Sequence, residues 1–165
     1  MNKIHLAACA AAFALSAAGA GAQVIRIDPA TDRPKPDLSA KPRTGKASFY
    51  ATFFGGRTMA DGTPMRLDGD NAASRTLPLG TVARVTNLST GLSAVVRIRD
   101  RGPYVQGRIV DLSPATAQQI GITPKMGLAM VEVTPIKVPL PNGGVRWGDL
   151  AEVARADDDG STRGQ

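Results

Sequence analysis

The stretch from Asp100 to Gly121 gathers the groups best placed to do chemistry. Asp100 stands where an apolar run ends, and Arg101-Gly102-Pro103-Tyr104 follows as a rigid turn. A second carboxylate, Asp111, closes the next short apolar run, Arg108-Ile109-Val110. The single histidine, His5, and the single cysteine, Cys9, both lie among the first ten residues, in a segment that reads as a cleavable leader. With that leader removed, Ser-His-Asp and Cys-His catalysis are excluded, and so is a zinc site built on His or Cys. Acid–base work then falls to carboxylates. Asp100 is the lead candidate. An Asp before Arg-Gly-Pro also commonly orders a turn by accepting backbone N–H groups. Asp111 reads either as a like charge facing Asp100 or as a structural residue ordering the helix start at Ser113. Asp61 is a further acidic candidate, although Asp61-Gly62 is also an ordinary turn pair.

The elements that must hold these residues read as mostly β. Ala47–Ala51 is aromatic-rich and predicts a strand. Thr81–Leu88 and Leu92–Arg99 predict two more, joined by a hairpin at Thr90-Gly91. In the second of these, Ala94, Val96 and Ile98 fall on one side and Val95, Arg97 and Arg99 on the other. Arg108–Leu112 and Leu128–Val133 complete the set. One helix is predicted, with Ser113 as N-cap, Pro114 at its first position and Gly121 at its end. Short strands, Gly/Pro turns and one or two short helices suggest a small closed barrel, which leaves no open sheet edge.

The ends read differently. Lys3, an apolar run over Ile4–Ala18 and Ala20-Gly21-Ala22 predict a signal peptide over 1–22, cleaved before Gln23. The run is too short for a membrane span, which needs about 20 apolar residues. Leu6-Ala7-Ala8-Cys9 looks like a lipoprotein box, but only the short stretch Ile4–Ala8 would precede Cys9 as a signal core, so lipidation is the minority reading. Residues 23–44 carry Pro29, Pro34, Pro36 and Pro42 without apolar periodicity and predict a disordered linker. The folded unit is expected over 45–138. A polar tail spans 139–165, where Trp147, Leu150 and Val153 would form one face of a short helix. The net charge of +6 and the isoelectric point near 10.0 suit an anionic partner. For an exported chain with scattered arginines that partner is a cell-wall polymer and not nucleic acid.

Five blocks, taken in order, resemble the rare lipoprotein A (RlpA) family. They are Gly45-Lys46-Ala47-Ser48-Phe49-Tyr50, Thr76-Leu77-Pro78-Leu79-Gly80-Thr81, Arg84-Val85-Thr86-Asn87-Leu88, Asp100-Arg101-Gly102-Pro103-Tyr104 and Gly107 through Ser113. The resemblance implies a six-stranded double-psi β-barrel, shared with expansins. It implies a periplasmic lytic transglycosylase that cuts peptidoglycan strands lacking stem peptides and forms 1,6-anhydro-muramyl ends. No cofactor or metal is implied; cell-division proteins of the envelope are implied as partners. Two positions depart from the family pattern. Thr63 stands where the family has a Glu, and Ser74 where it has a His. Asp100 is retained, and Asp61 lies two residues from the missing Glu.

On this resemblance Asp100 and Asp61 are the catalytic candidates. Tyr50 and Tyr104 would stack on sugar rings, and Arg57, Arg101 and Arg108 would hold carboxylates or sugar oxygens. Thr63, Ser74 and Asp111 would line the cleft. The lost Glu and His also suit a non-catalytic, expansin-like wall-binding module, and an envelope scaffold is a third reading.

Overall fold

The computed structural model describes residues 34–150. The expected leader, its Cys9, the first part of the linker and Val153 lie outside the described residues. Among the described residues seven strands, one helix and one 3-10 turn follow in order. They are β1 (Arg43–Phe49), the turn Thr52–Phe54, β2 (Asn71–Ala73), β3 (Val82–Asn87), β4 (Ser93–Asp100), β5 (Arg108–Leu112), α1 (Pro114–Gln119), β6 (Ala129–Pro139) and β7 (Val145–Trp147).

Six strands close into a barrel in the order β1-β5-β2-β4-β3-β6, with β6 returning to pair with β1. β7 extends β6 on the outside. The pairs β1–β5 and β2–β4 are parallel and the others antiparallel. This is the closed six-stranded barrel that the resemblance implies.

The β3–β4 hairpin turns at the expected place. Gly91 takes a φ of 71°, and its N–H reaches the Asn87 carbonyl at 2.8 Å. A side chain at that φ would be strained. Ala94, Val96 and Ile98 are buried while Val95 is 51% exposed, so the alternation along β4 carries into the packing. Val85, Val110, Leu112, Ile120, Ile122 and Val131 join them as fully buried side chains. Burying each such side chain contributes about 1.5–3 kcal/mol, and the core is their sum.

Helix α1 starts as its sequence demands. Ser113 Oγ accepts the Thr116 N–H at 3.1 Å and donates to the Gly69 carbonyl at 2.5 Å. The cap therefore also ties the helix to the loop before β2. At the far end Gly121 has a φ of 80°, and the Asn87 side-chain amide donates to the Ile120 carbonyl at 2.8 Å.

Three features differ from the expectation. β2 is a strand of three residues with two alanines, too short and too weak in β-formers to show in the sequence. β1 begins at Arg43 and β6 runs on to Pro139, because strand pairing and not apolar pattern recruits their ends. Pro135 sits beside the register shift between Val82 and Ala83, an irregular stretch of ladder where a residue without an N–H fits. Trp147 closes β7 instead of opening a helix, since Lys137, Val138 and Pro139 of β6 offer it a pairing edge. Among the described residues no helix is long and apolar enough to cross a membrane.

Candidate active site

Asp100 is the last residue of β4, and Asp111 lies in β5. Between those strands runs β2, where Ala73 is the register partner of both aspartates. The two carboxylates are thus separated by two strand spacings, roughly 10 Å between Cα atoms. The unpredicted strand β2 sets that distance.

Asp100 is half-buried and accepts three hydrogen bonds. Its Oδ1 takes the Ala60 N–H at 3.0 Å and the Arg101 N–H at 2.8 Å. Among the described residues its Oδ2 takes only the Tyr50 hydroxyl, at 2.8 Å. Neither flanking guanidinium touches it. Arg99 Nη1 goes to Asp61 Oδ2 at 3.2 Å, and Arg101 Nη1 goes to the carbonyls of Ser74 and Leu77 at 3.1 and 2.8 Å. Oδ1 is saturated by backbone; Oδ2 keeps an acceptor site.

Tyr50 follows β1, and its hydroxyl spans the strands between β1 and β4 to reach Asp100. Burial pushes its ionisation well above the ordinary tyrosine range, and the hydrogen bond to Asp100 with the charges of Asp100 and Asp111 pushes it further. It stays a proton-bearing donor throughout the physiological range.

Asp61 lies in the tight loop 59–63, which docks on the end of β4 through the Asp61 N–H to the Arg99 carbonyl at 3.0 Å. Its Oδ1 accepts Thr63 N at 2.9 Å and Thr63 Oγ1 at 2.6 Å. Burial opposes its charge, but the Thr63 hydrogen bonds and the Arg99 guanidinium together hold its carboxyl below the usual range. Asp61 is therefore an ionised anchor of this loop, and Thr63 is its partner. Asp111 is likewise engaged: Ser48 Oγ donates to it, and Arg108 Nη2 bridges both its oxygens at 3.0 and 3.1 Å.

The other expected contacts sort by exposure. Ser74 is 3% exposed, and its hydroxyl accepts the Leu77 N–H at 3.3 Å, so it orders the loop after β2. Arg101 clamps the same loop. Tyr104 is 77% exposed on the turn beyond Asp100. Arg57 lies 5.5 Å above the rings of both Phe53 and Phe54.

Phe53 and Phe54 themselves were missed by the sequence reasoning. Phe54 packs edge-on against Tyr50 at 5.7 Å, and Phe53, 64% exposed, lies 4.3 Å from Phe54. Tyr50, Phe54, Phe53 and Arg57 make an aromatic strip leading away from Asp100. The signal was present: two adjacent phenylalanines just before Gly55-Gly56 fit no alternating strand and had no core to enter. Among the described residues no three His, Cys, Asp or Glu side chains converge to hold a metal.

Residues 43–133 match the family model described as lytic transglycolase. The chain is 44% identical over 103 residues to the endolytic peptidoglycan transglycosylase RlpA of Pseudomonas aeruginosa, covering 62% of this chain and 30% of that protein. It is 51% identical over 78 residues to the probable endolytic peptidoglycan transglycosylase RlpA of a Synechocystis species, covering 47% and 24%. Among solved structures, the apo expansin of Clavibacter michiganensis aligns at a TM-score of 0.46 and 20% identity, over 60% of this chain and 52% of that one. The chain spans less than half the length of the curated relatives it matches.

Proposed function

The chain belongs to the lytic transglycolase family, the RlpA group of double-psi β-barrels, and from that premise we propose that it cleaves peptidoglycan strands lacking stem peptides, leaving 1,6-anhydro-muramyl ends. The observation that carries this reading is Asp100 Oδ2. It belongs to a carboxylate free of any ion pair among the described residues, steadied by Tyr50 and adjoining an exposed aromatic strip.

The reaction needs one residue acting twice. Asp100 in its protonated form gives its proton to the glycosidic oxygen as the bond from that oxygen to C1 breaks. The carboxylate so formed takes the proton of the sugar's own C6 hydroxyl while O6 bonds to C1. The proton ledger closes on Asp100 and no water is consumed. A hydrolase would usually need a second carboxylate at about 5–5.5 Å or about 6.5–9.5 Å, placed to attack or to activate water. Here Asp61 and Asp111 are both ion-paired, which favours the single-residue route. Oδ2 is the reacting oxygen because Oδ1 is filled by two backbone N–H groups. Tyr50 is a positioning residue that fixes Oδ2.

The aromatic strip supplies flat faces for sugar rings. The positive net charge favours an anionic polymer of the envelope. The finer location, a periplasmic protein exported by the leader over 1–22 and working with cell-division proteins, belongs to the same proposal.

Peptide-free glycan strands incubated with the chain, followed by mass spectrometry, test it. Anhydro ends are expected, and Asp100→Asn should abolish them while the fold persists. Undiminished turnover in Asp100→Asn would remove Asp100 from its role. A second reading, a wall-binding module without turnover, is favoured by Thr63 and Ser74 at the family's Glu and His positions. It predicts salt-sensitive co-sedimentation with sacculi and no anhydro ends from a preparation in which an active relative produces them.

A further inference from the structure

Ser74 also borders a cavity of about 230 Å³. Arg43 at the start of β1, Arg108 at the start of β5 and Arg75 in the loop after β2 all line it, with Thr76 and Ile109. Three arginines from three separate elements thus line one small space.

Two of them are partly occupied. Arg43 Nη1 meets Asp37 Oδ2 at 3.3 Å and Thr76 Oγ1 at 3.1 Å. Arg108 uses Nη2 for Asp111, and its buried Nε–H has no acceptor among the described residues. Arg75 has no carboxylate partner among the described residues. Three cations therefore stand against the two carboxylates Asp37 and Asp111. A guanidinium carries five N–H donors in a planar fork, so donors remain after these contacts are made. An excess of guanidinium in a small concavity is carboxylate-recognition chemistry.

Position ties this pocket to Asp100. Ser74 lines it, and the Ser74 N–H bonds the Asp100 carbonyl at 3.2 Å. A polymer lying across the ends of β4, β2 and β5 would pass from Asp100 to the arginines. Peptidoglycan has one backbone anion to offer there, the lactyl carboxylate of N-acetylmuramic acid. It is charged only where no stem peptide is attached; a stem peptide turns it into a bulky, neutral amide.

We propose that the Arg43–Arg75–Arg108 pocket binds a free lactyl carboxylate and so selects glycan that carries no stem peptide. This rests on the proposed substrate class, but it is tested by binding and not by turnover. In full-length Asp100→Asn, a peptide-free tetrasaccharide of alternating N-acetylglucosamine and N-acetylmuramic acid is titrated against the same sugar with its carboxylates converted to methylamides. The acid form should bind about tenfold more tightly. Adding Arg75→Gln, where the arginine side chain makes no hydrogen bond among the described residues, should shrink that preference to about twofold or less. Adding Lys125→Gln, which removes an exposed charge elsewhere, should leave it intact.

Equal affinity for acid and amide, a preference that survives Arg75→Gln, or no binding of either sugar would overturn the assignment. Lactate binding as tightly as the tetrasaccharide would also overturn it, making the pocket a site for small carboxylates. Turnover of the unsubstituted chain is read separately. A persistent preference without anhydro ends would sink the catalytic reading and leave the pocket. Anhydro ends without a preference would do the reverse.

Discussion

Replacing Tyr50 with Phe removes one oxygen and leaves the ring edge-on to Phe54 at 5.7 Å. Asp100 Oδ2 loses the only donor it has among the described residues, while Oδ1 keeps both backbone N–H groups. A hydrogen bond to a charged group contributes about 1.5–3 kcal/mol. Asp100 is only half-buried, so water can replace part of that, and the expected loss is about 1 kcal/mol at neutral pH. The pH dependence is the sharper readout. Tyr50 in the folded chain ionises well above its reference value of 10.0, so its proton is retained there. In the unfolded chain it is lost near pH 10. Above pH 10 the folded state therefore binds more protons than the unfolded state, and stability falls as pH rises, at up to about 1.4 kcal/mol per unit. Tyr50→Phe has no such loss. Urea unfolding from pH 7 to 11.5 should show the parent more stable by about 1 kcal/mol up to pH 10, with the gap closing within about one unit above it. Turnover should fall about tenfold through kcat with little change in KM, because Oδ2 is no longer fixed. A stability gap that stays constant to pH 11.5 would refute the reasoning, since it would mean that the phenol is solvated and not bonded to Asp100.

Three other outcomes follow from the same contacts. Asp61→Asn should destabilise the chain at pH 7, and the difference should begin to shrink only as pH falls below about 3.8, disappearing once the folded carboxyl itself is protonated; the folded carboxyl ionises lower than the unfolded one, so its contribution is lost as pH falls through that lower value. Acid titration monitored by circular dichroism checks this. Ser113→Ala removes the α1 cap and the bond to Gly69, and should cost about 1–2 kcal/mol in urea unfolding without changing the products formed. Phe53→Ala, at a 64% exposed side chain, should leave unfolding unchanged yet weaken glycan binding severalfold, as measured by co-sedimentation or titration.

Much of this protein is local and could be read in line. The alternation of Ala94, Val96 and Ile98 buries one face of β4 because successive side chains on a strand point to opposite sides. Thr90-Gly91 turns the hairpin because Gly takes the positive φ, and Ser113-Pro114 starts α1 because hydroxyl and ring suit the first turn. Asp100 stood out because a carboxylate ended a strand before a Gly-Pro turn. The tertiary structure decided what that aspartate touches. Tyr50 and Asp100 are 50 residues apart, and Ser48 and Asp111 are 63 apart, so no window of sequence contains either contact. Arg99 and Arg101 adjoin Asp100 in the chain yet turn to Asp61 and to two carbonyls, because a parallel pairing with a three-residue strand brings those acceptors within reach. The same closure brings Arg43 and Arg75, which nothing in the sequence singles out, to one pocket with Arg108, which the sequence already offered as a carboxylate holder. Strand pairing between distant segments creates both sites; periodicity and capping only supply the pieces.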